Sequence, residues 1–185
     1  MKLKDEEIVK LLTVPQTVEK GLRAMMDIYQ SRLYWHIRRM IVDHDQAQDV
    51  LQDTFIKAYQ NIHQFKSDSK LYTWLYRIAT NESLQQLNKM NRMKKTDEDG
   101  EYYMQNLVAD NAGKDAEEIQ ILLQKAIQTL PEKQKLVFNM RYYDDLPYEE
   151  ISKILDMSVG TLKTNYHYAK DKVEQYIKDN YSEEF

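Results

Sequence analysis

The chain has 185 residues, enough for one or two small domains, and its four glycines and three prolines favour a protein built from helices. It has no cysteine, which excludes disulfides, a thiolate nucleophile and cysteine-based zinc sites. The net charge of −4 argues against a nucleic-acid partner, but the distribution of charge does not, because residues 31–95 carry 11 Lys and Arg against 6 Asp and Glu, and residues 96–120 carry 1 against 8.

Three amphipathic helices are predicted in the first half of the chain. Residues 17–42 form the first, and the polar segment Asp43–Asp45 separates it from the second. The third begins near Ser69 and runs to about Arg92. Since each helix has one apolar face, the three can bury one another as a small bundle, and we assign residues 1–93 to a first domain.

The second predicted helix has an outward strip of mixed character, formed by Asp49, Gln52, Asp53, Ile56 and Lys57. The two carboxylates repel each other, and we expect pairing of Asp53 with Lys57 to offset part of that repulsion. An acidic strip with an exposed isoleucine suits docking on a basic partner surface. A merely solvated helix face is the alternative.

The third predicted helix carries a polar stripe without any acid. The stripe consists of Thr73, Arg77, Asn81, Gln85, Asn88 and Arg92. Tyr72, Trp74 and Tyr76 lie beside it, and Lys66 and Lys70 precede it. Aromatic planes for stacking and cations for the backbone are what a single-stranded nucleic acid requires. The alternative is that Trp74 and one tyrosine belong to the core.

A polar segment divides the chain, and helical patterning resumes after it. Residues 94–115 contain two of the four glycines and no sustained periodicity, which is typical of a flexible linker. From Ala116 the helical pattern continues to about Asn180, with Pro131 starting one helix and Asp144–Asp145 ending it. We assign residues 116–185 to a second domain.

Residues 147–172 predict a helix-turn-helix. Pro147 can start the first short helix, and Ser158 is a good N-cap for the second. One side of the second helix is a buried stripe formed by Leu162, Tyr166, Ala169 and Val173. The opposite side offers groups for phosphates and base edges, namely Gly160, Thr161, Lys163, Thr164, Asn165, His167, Tyr168 and Lys170. An ordinary helical hairpin with a solvated face is the alternative.

Three segments together resemble a known family. They are FIKAYQNIHQF, KLYTWLYRIATNESL and TLPEKQKLVFNMRYYDDLPYEEISKILDMSVGTLKTNYHYAK. They are similar to sigma subunits of bacterial RNA polymerase, and most of all to the two-domain extracytoplasmic-function (ECF) group. The resemblance implies an all-α protein in which an N-terminal helical bundle and a C-terminal four-helix, helix-turn-helix domain are joined by a flexible linker.

The resemblance also implies roles for the surfaces described above. The strip of Asp49, Gln52, Asp53, Ile56 and Lys57 corresponds to the surface that binds the polymerase clamp. The residues that correspond to binding of the promoter −10 element are Ser67, Lys70, Tyr72, Trp74, Arg77, Asn81 and Gln85. An extruded base would be captured beside Ser67–Lys70 and Asn81. The residues that correspond to binding of the −35 element are Ser158, Gly160, Thr161, Lys163, Thr164, Asn165, His167, Tyr168 and Lys170. Family members often carry Arg at positions 165, 168 and 170.

The partners implied by the resemblance are the clamp and flap of the core polymerase, promoter DNA and an anti-sigma factor. We expect a cytoplasmic protein without membrane insertion, since no apolar run approaches the ~18–20 residues that a span requires. A stand-alone helix-turn-helix transcription regulator is the alternative, although it leaves the polar stripe at residues 72–92 without a role. An enzyme, a metal site and a cofactor are not expected, because the four histidines are scattered and no glycine-rich phosphate loop is present.

Overall fold

The computed structural model describes residues 3–66, 69–93 and 114–180, and their regular structure is helical throughout. The helices, numbered in chain order, are α1 (Asp5–Thr13), α2 (Val18–Met40), α3 (His44–Gln60), α4 (Leu71–Met93), α5 (Lys114–Gln128), α6 (Glu132–Tyr142), α7 (Tyr148–Leu155) and α8 (Val159–Asn180). Short 3₁₀ turns occupy Pro15–Thr17 and Ile62–Gln64. This architecture confirms the predicted all-α class.

The chain divides into two compact units, with the main boundary between residues 97 and 98. The first unit contains α1–α4, and the second contains α5, α6, α8 and most of α7. The linker predicted for residues 94–115 falls outside the described residues except for its last two, which begin α5. None of the described helices is both long enough and apolar enough to span a bilayer.

Helix α1 is an element that the sequence reading did not predict. Ile8 and Leu12 are buried, and α1 packs along α2. The two backbones approach closely at Gly21, where an added Cβ would lie 2.9 Å from the amide nitrogen of Leu12. A glycine is therefore required in α2 at the point where α1 crosses it.

Helices α2, α3 and α4 form the predicted bundle and share one core. Each contributes large, nearly inaccessible side chains, for example Ile37 from α2, Phe55 from α3 and Leu75 from α4. Asp43 separates α2 from α3 because its carboxylate accepts a hydrogen bond from the amide of Gln46 at 2.9 Å, which makes it the N-cap of α3.

A buried polar contact also joins α2 to α4. The Thr80 hydroxyl donates to the carbonyl of Tyr76 at 2.7 Å and lies 2.9 Å from Nε2 of His36. Because a hydroxyl has one hydrogen, its oxygen is left to accept from His36, which places the imidazole proton on Nε2. This contact orients α4, the helix that carries the polar stripe.

In the second unit, α8 packs against α5 and α6. Their core consists of Ala126, Ile127, Leu130, Phe138, Ala169 and Val173. Leu162, Ala169 and Val173 of the predicted stripe are buried and Tyr166 is half-buried, as the periodicity indicates.

The turn of the helix-turn-helix lies between α7 and α8. Asp156 ends α7 with φ 53° and ψ 48°, the left-handed conformation that glycine adopts most easily. A non-glycine residue in this conformation places slight strain on the turn. Ser158 Oγ accepts from the amide of Thr161 at 3.1 Å and caps α8 as predicted.

Candidate nucleic-acid and docking surfaces

The exposed side of α8, which we call the duplex face, contains the residues predicted to contact double-stranded DNA. Gly160, Thr161, Lys163, Thr164, His167, Tyr168 and Lys170 are exposed, Asn165 is half-buried, and Ser158 lies at the start of the helix. The short polar groups are satisfied by their own helix, because Thr164 Oγ1 donates to the carbonyl of Gly160 and Asn165 Nδ2 to that of Thr161. These bonds are on the surface, so the groups can exchange them for a ligand.

The cations of the duplex face differ in their surroundings. Lys170 lies 3.4 Å from the Glu174 carboxylate, and His167 lies 3.3 Å from Asp171. Lys163 makes no ion pair with any residue that the structure describes, and its Nζ lies 5.8 Å from the centre of the Tyr148 ring. Lys163 is therefore the cation of this face that is least neutralised by a neighbouring acid.

Tyr148 and Arg141 are residues that the sequence reading did not assign to this surface. The guanidinium of Arg141 lies 5.0 Å from the centre of the same Tyr148 ring, and its Nη1 donates to the carbonyl of Leu146 at 2.7 Å. Tyr148 thus has two cations against its ring, which is favourable because the ring face is electron-rich. An arginine in the last turn of α6 and a tyrosine at the start of α7 are visible in the sequence, but their proximity depends on the chain between them.

The outward side of α4, which we call the single-strand face, is formed by Arg77, Asn81, Gln85, Asn88 and Arg92, all exposed. Their spacing of four, four, three and four residues places them on one side of the helix. Thr73, which the sequence reading placed on the same stripe, is only 2 % exposed and belongs to the core. The prediction was wrong there because the first turn of α4 is covered by the rest of the bundle.

The aromatic residues at the start of α4 have three different environments. Tyr76 is 1 % exposed and belongs to the core, while Trp74 is half-buried with its ring centre 5.5 Å from that of Phe65. Tyr72 is half-buried with two cations near its ring, Arg32 Cζ at 5.8 Å and Lys70 Nζ at 5.5 Å from its ring centre. Arg32 belongs to α2 and was missed, because nothing in the sequence relates it to residue 72. Ser67 lies outside the described residues.

The predicted docking strip lies on α3. Asp49, Gln52 and Asp53 are exposed, and Ile56 is 44 % exposed. Lys57 is different, since its Nζ lies 2.6 Å from the Glu82 carboxylate of α4. The prediction that Lys57 pairs with Asp53 and offsets the repulsion between the carboxylates is therefore wrong. The lysine charge lies toward α4, so the outer strip is more acidic than expected.

A groove of about 510 Å³ runs beside this strip between α2 and α3. We call it the acidic-rimmed groove. Leu22 and Met26 line it from α2, and Leu51, Phe55, Ile56 and Tyr59 line it from α3, with Asp49 and Gln52 among its polar residues. The exposed Met26 and Tyr59 were not assigned from the sequence. Such an apolar groove with carboxylates at its edge suits a protein segment that carries both apolar and basic side chains.

Comparison with known proteins identifies both halves of the chain. The family model described as Sigma-70 region 2 matches residues 25–93, and the one described as Sigma-70, region 4 matches residues 120–173. The chain is 34% identical over 172 residues to the ECF RNA polymerase sigma factor SigW of Bacillus subtilis, covering 84% of this chain and 88% of that protein. It is 32% identical over 180 residues to the RNA polymerase sigma-H factor of Pseudomonas aeruginosa, covering 88% and 91%.

Solved structures share the fold. The sigma factor RpoE of Bartonella quintana, in complex with the anti-sigma factor NepR, aligns with a TM-score of 0.68 at 21% identity over 87% of this chain and 99% of that one. CnrH in complex with the cytosolic domain of CnrY aligns with a TM-score of 0.70 at 15% identity over 95% and 98%.

Proposed function

Because the chain belongs to the sigma-70 family, as an ECF sigma factor of bacterial RNA polymerase, we propose how its surfaces divide the work of promoter recognition. The protein gives RNA polymerase its promoter specificity and acts in transcription initiation. The stand-alone regulator is not favoured, since both sigma regions are matched, in order, along one chain. Sigma factors are initiation factors, and in this proposal the protein has no catalytic step of its own.

In our proposal the duplex face reads the −35 element as double-stranded DNA. Lys163 supplies a cation for a phosphate, and Thr164 is one turn from the N-terminus of α8, where base edges of the major groove are usually contacted. Tyr148 and Arg141 lie at the edge of this face and extend its positive charge toward the DNA backbone.

The single-strand face reads the −10 element after the duplex opens. It presents two cations and three amide side chains without a carboxylate, so unpaired bases and their backbone meet no repulsive charge. The cations Lys70 and Arg32 lie near the ring of Tyr72 at the start of the same helix, with Arg32 supplied by α2. An extruded base would be held beside Lys70 and Asn81.

The acidic-rimmed groove binds the polymerase clamp, and a second contact to the polymerase flap comes from the second unit. The groove supports this role because exposed Met26, Ile56 and Tyr59 line it together with the exposed carboxylate of Asp49. An anti-sigma factor is proposed as a competing partner, because the structurally similar sigma factor RpoE was solved in complex with the anti-sigma factor NepR. The protein acts in the cytoplasm, where the polymerase and the chromosome are.

The observation that carries this proposal is the presence, in one chain, of an acid-free face on α4 and a cationic face on α8. The test is run-off transcription with purified core polymerase over genomic fragments. We expect discrete start sites that require the protein, each preceded by two shared sequence elements. If the holoenzyme selects no start sites that the core enzyme does not, the proposal is overturned.

A further inference from the structure

Asp5 links the first turn of α1 to two other helices. Its Oδ2 accepts a hydrogen bond from the amide of Leu71 at 2.8 Å, and its Oδ1 accepts one from the hydroxyl of Tyr29. Leu71 is the first residue of α4 and Tyr29 lies in the middle of α2. One carboxylate, 66 positions away in sequence from Leu71, therefore connects the start of α4 to α2.

This carboxylate acts as an N-cap supplied from another helix. The amide of the first residue of a helix has no acceptor within the helix, and the N-terminus carries a partial positive charge. An ionised carboxylate satisfies both conditions. Burial, together with the hydrogen bond to Asp5, raises the pKa of Tyr29, so its hydroxyl keeps the proton that it donates.

The residues on either side of Leu71 are those proposed to bind the unpaired strand. Lys70 precedes it, and Tyr72 follows it with both Lys70 and Arg32 near its ring. Arg32 lies three residues after Tyr29 on α2, that is, on the adjoining turn. A change in the position of Leu71 would thus be passed directly to Lys70 and Tyr72 through the backbone.

From this geometry we infer that Asp5 is a positioning residue for −10 recognition: it holds the first turn of α4 so that Lys70 and Tyr72 face the unpaired strand. The inference rests on the proposed −10 role of α4. Asp5 itself is half-buried and uses both oxygens within the protein, so it acts through α4 and not by touching DNA.

The test compares holoenzymes assembled with Asp5→Ala, Asp5→Asn and Tyr29→Phe on a promoter mapped with the unaltered protein. Glu6→Ala is the matched control, since it removes the same charge from an exposed neighbour in the same turn. Permanganate reactivity of −10 thymines reports the rate of opening. We expect Asp5→Ala to slow opening roughly tenfold, the scale of one charge-assisted hydrogen bond. Asp5→Asn, which keeps an acceptor for Leu71, should lie between Asp5→Ala and the control, and Tyr29→Phe should have the smallest effect.

Two further measurements separate positioning from general loss of structure. Affinity for core polymerase and protection of the −35 element should be unchanged in all four variants, while hydrogen exchange of the Leu71 amide should accelerate in Asp5→Ala. Opening at the Glu6→Ala rate in all Asp5 variants, or a parallel loss of polymerase affinity, would overturn the inference. Asn81→Ala separates a failure of the proposed −10 role of α4 from a failure of the role of Asp5. If Asn81→Ala also leaves the rate of opening unchanged, the proposed −10 role of α4 fails. If Asn81→Ala slows opening and Asp5→Ala does not, only the role of Asp5 fails.

Discussion

On the duplex face, the neighbours of each side chain decide what that side chain can contribute to binding. The contacts of Lys170 with Glu174 and of His167 with Asp171 on the next turn are exposed, and exposed contacts of this kind contribute little to stability. The carboxylates of Glu174 and Asp171 lower the local positive charge, however. The family resemblance implies that members often carry Arg at positions 165 and 168, where this chain has Asn and Tyr. Each lost phosphate contact lowers the salt dependence of binding by about one unit in log–log slope. We therefore expect weaker duplex binding by the isolated chain, or a −35 sequence that is read differently.

Lys163 and Thr164 are the residues whose replacement tests the duplex face most directly. We expect Lys163→Ala with Thr164→Ala to weaken holoenzyme binding at the −35 element by about 1–3 kcal/mol, because a phosphate contact and a base-edge contact are lost together. Footprinting of promoter DNA by the holoenzyme measures this loss of binding at the −35 element. Lys172→Ala is the control, since Lys172 is exposed on α8 but bonds Gln134 at 3.2 Å and lies outside the duplex face. Equal protection of the −35 element by the double variant and by the control would show that Lys163 and Thr164 do not contact this element.

At the scale of elements, the first unit is a three-helix bundle to which α1 has been added. The contact between α1 and α2 requires a close approach of the two backbones at Gly21, and the burial of Ile8 and Leu12 stabilises this contact. Complete burial of two such side chains contributes about 1.5–3 kcal/mol each. Because α1 brings Asp5 to the start of α4, the packing of α1 and the geometry of the single-strand face are coupled.

Gly21→Ala tests that packing. Alanine has the better intrinsic helix propensity by about 1 kcal/mol, but its Cβ would lie 2.9 Å from the Leu12 amide nitrogen and 3.0 Å from Leu11 Cβ. Backbone must move, so we expect a net loss of about 1–3 kcal/mol in the free energy of unfolding, measured by urea denaturation. Gly160→Ala serves as the control, because the nearest atom to its added Cβ is 3.9 Å away and no loss is expected. A Gly21→Ala protein as stable as this control would show that α1 docks differently.

For the whole molecule, DNA affinity depends on the polymerase as well as on the two units. The net charge of −4 opposes long-range attraction to DNA, so binding requires that the faces be presented at short range by a larger assembly. The acidic-rimmed groove provides the attachment in our proposal. Each DNA-binding face can then remain weak, because attachment to the same assembly raises the effective concentration of one face once the other has bound.

Reversal of charge at the groove tests this attachment. Asp49→Lys with Asp53→Lys should lower affinity for core polymerase at least tenfold, since one carboxylate that lines the groove and one on the adjoining docking strip become cations, while helical content and the unfolding midpoint stay unchanged at these exposed positions. Affinity is measured by titration of labelled protein with core enzyme. Glu6→Lys with Asp27→Lys makes the same change at two exposed positions that do not line the groove. Equal affinity of the two double variants would contradict the assignment of the groove.

Apart from α1, the sequence alone determined the helices, most of their exposed positions and the helix-turn-helix, because those features depend on residues within about two turns of each other and on local caps such as Asp43 and Ser158. Recognition of the family followed from the same local segments in order. Tertiary structure decided which of those residues became available: it buried Thr73, turned Lys57 toward Glu82, placed Arg32 against Tyr72 and brought Asp5 to the amide of Leu71. Lys57 and Glu82 are 25 residues apart in the sequence, and Asp5 and Leu71 are 66 apart. Contacts over such separations depend on how the helices pack and not on any periodicity along one helix.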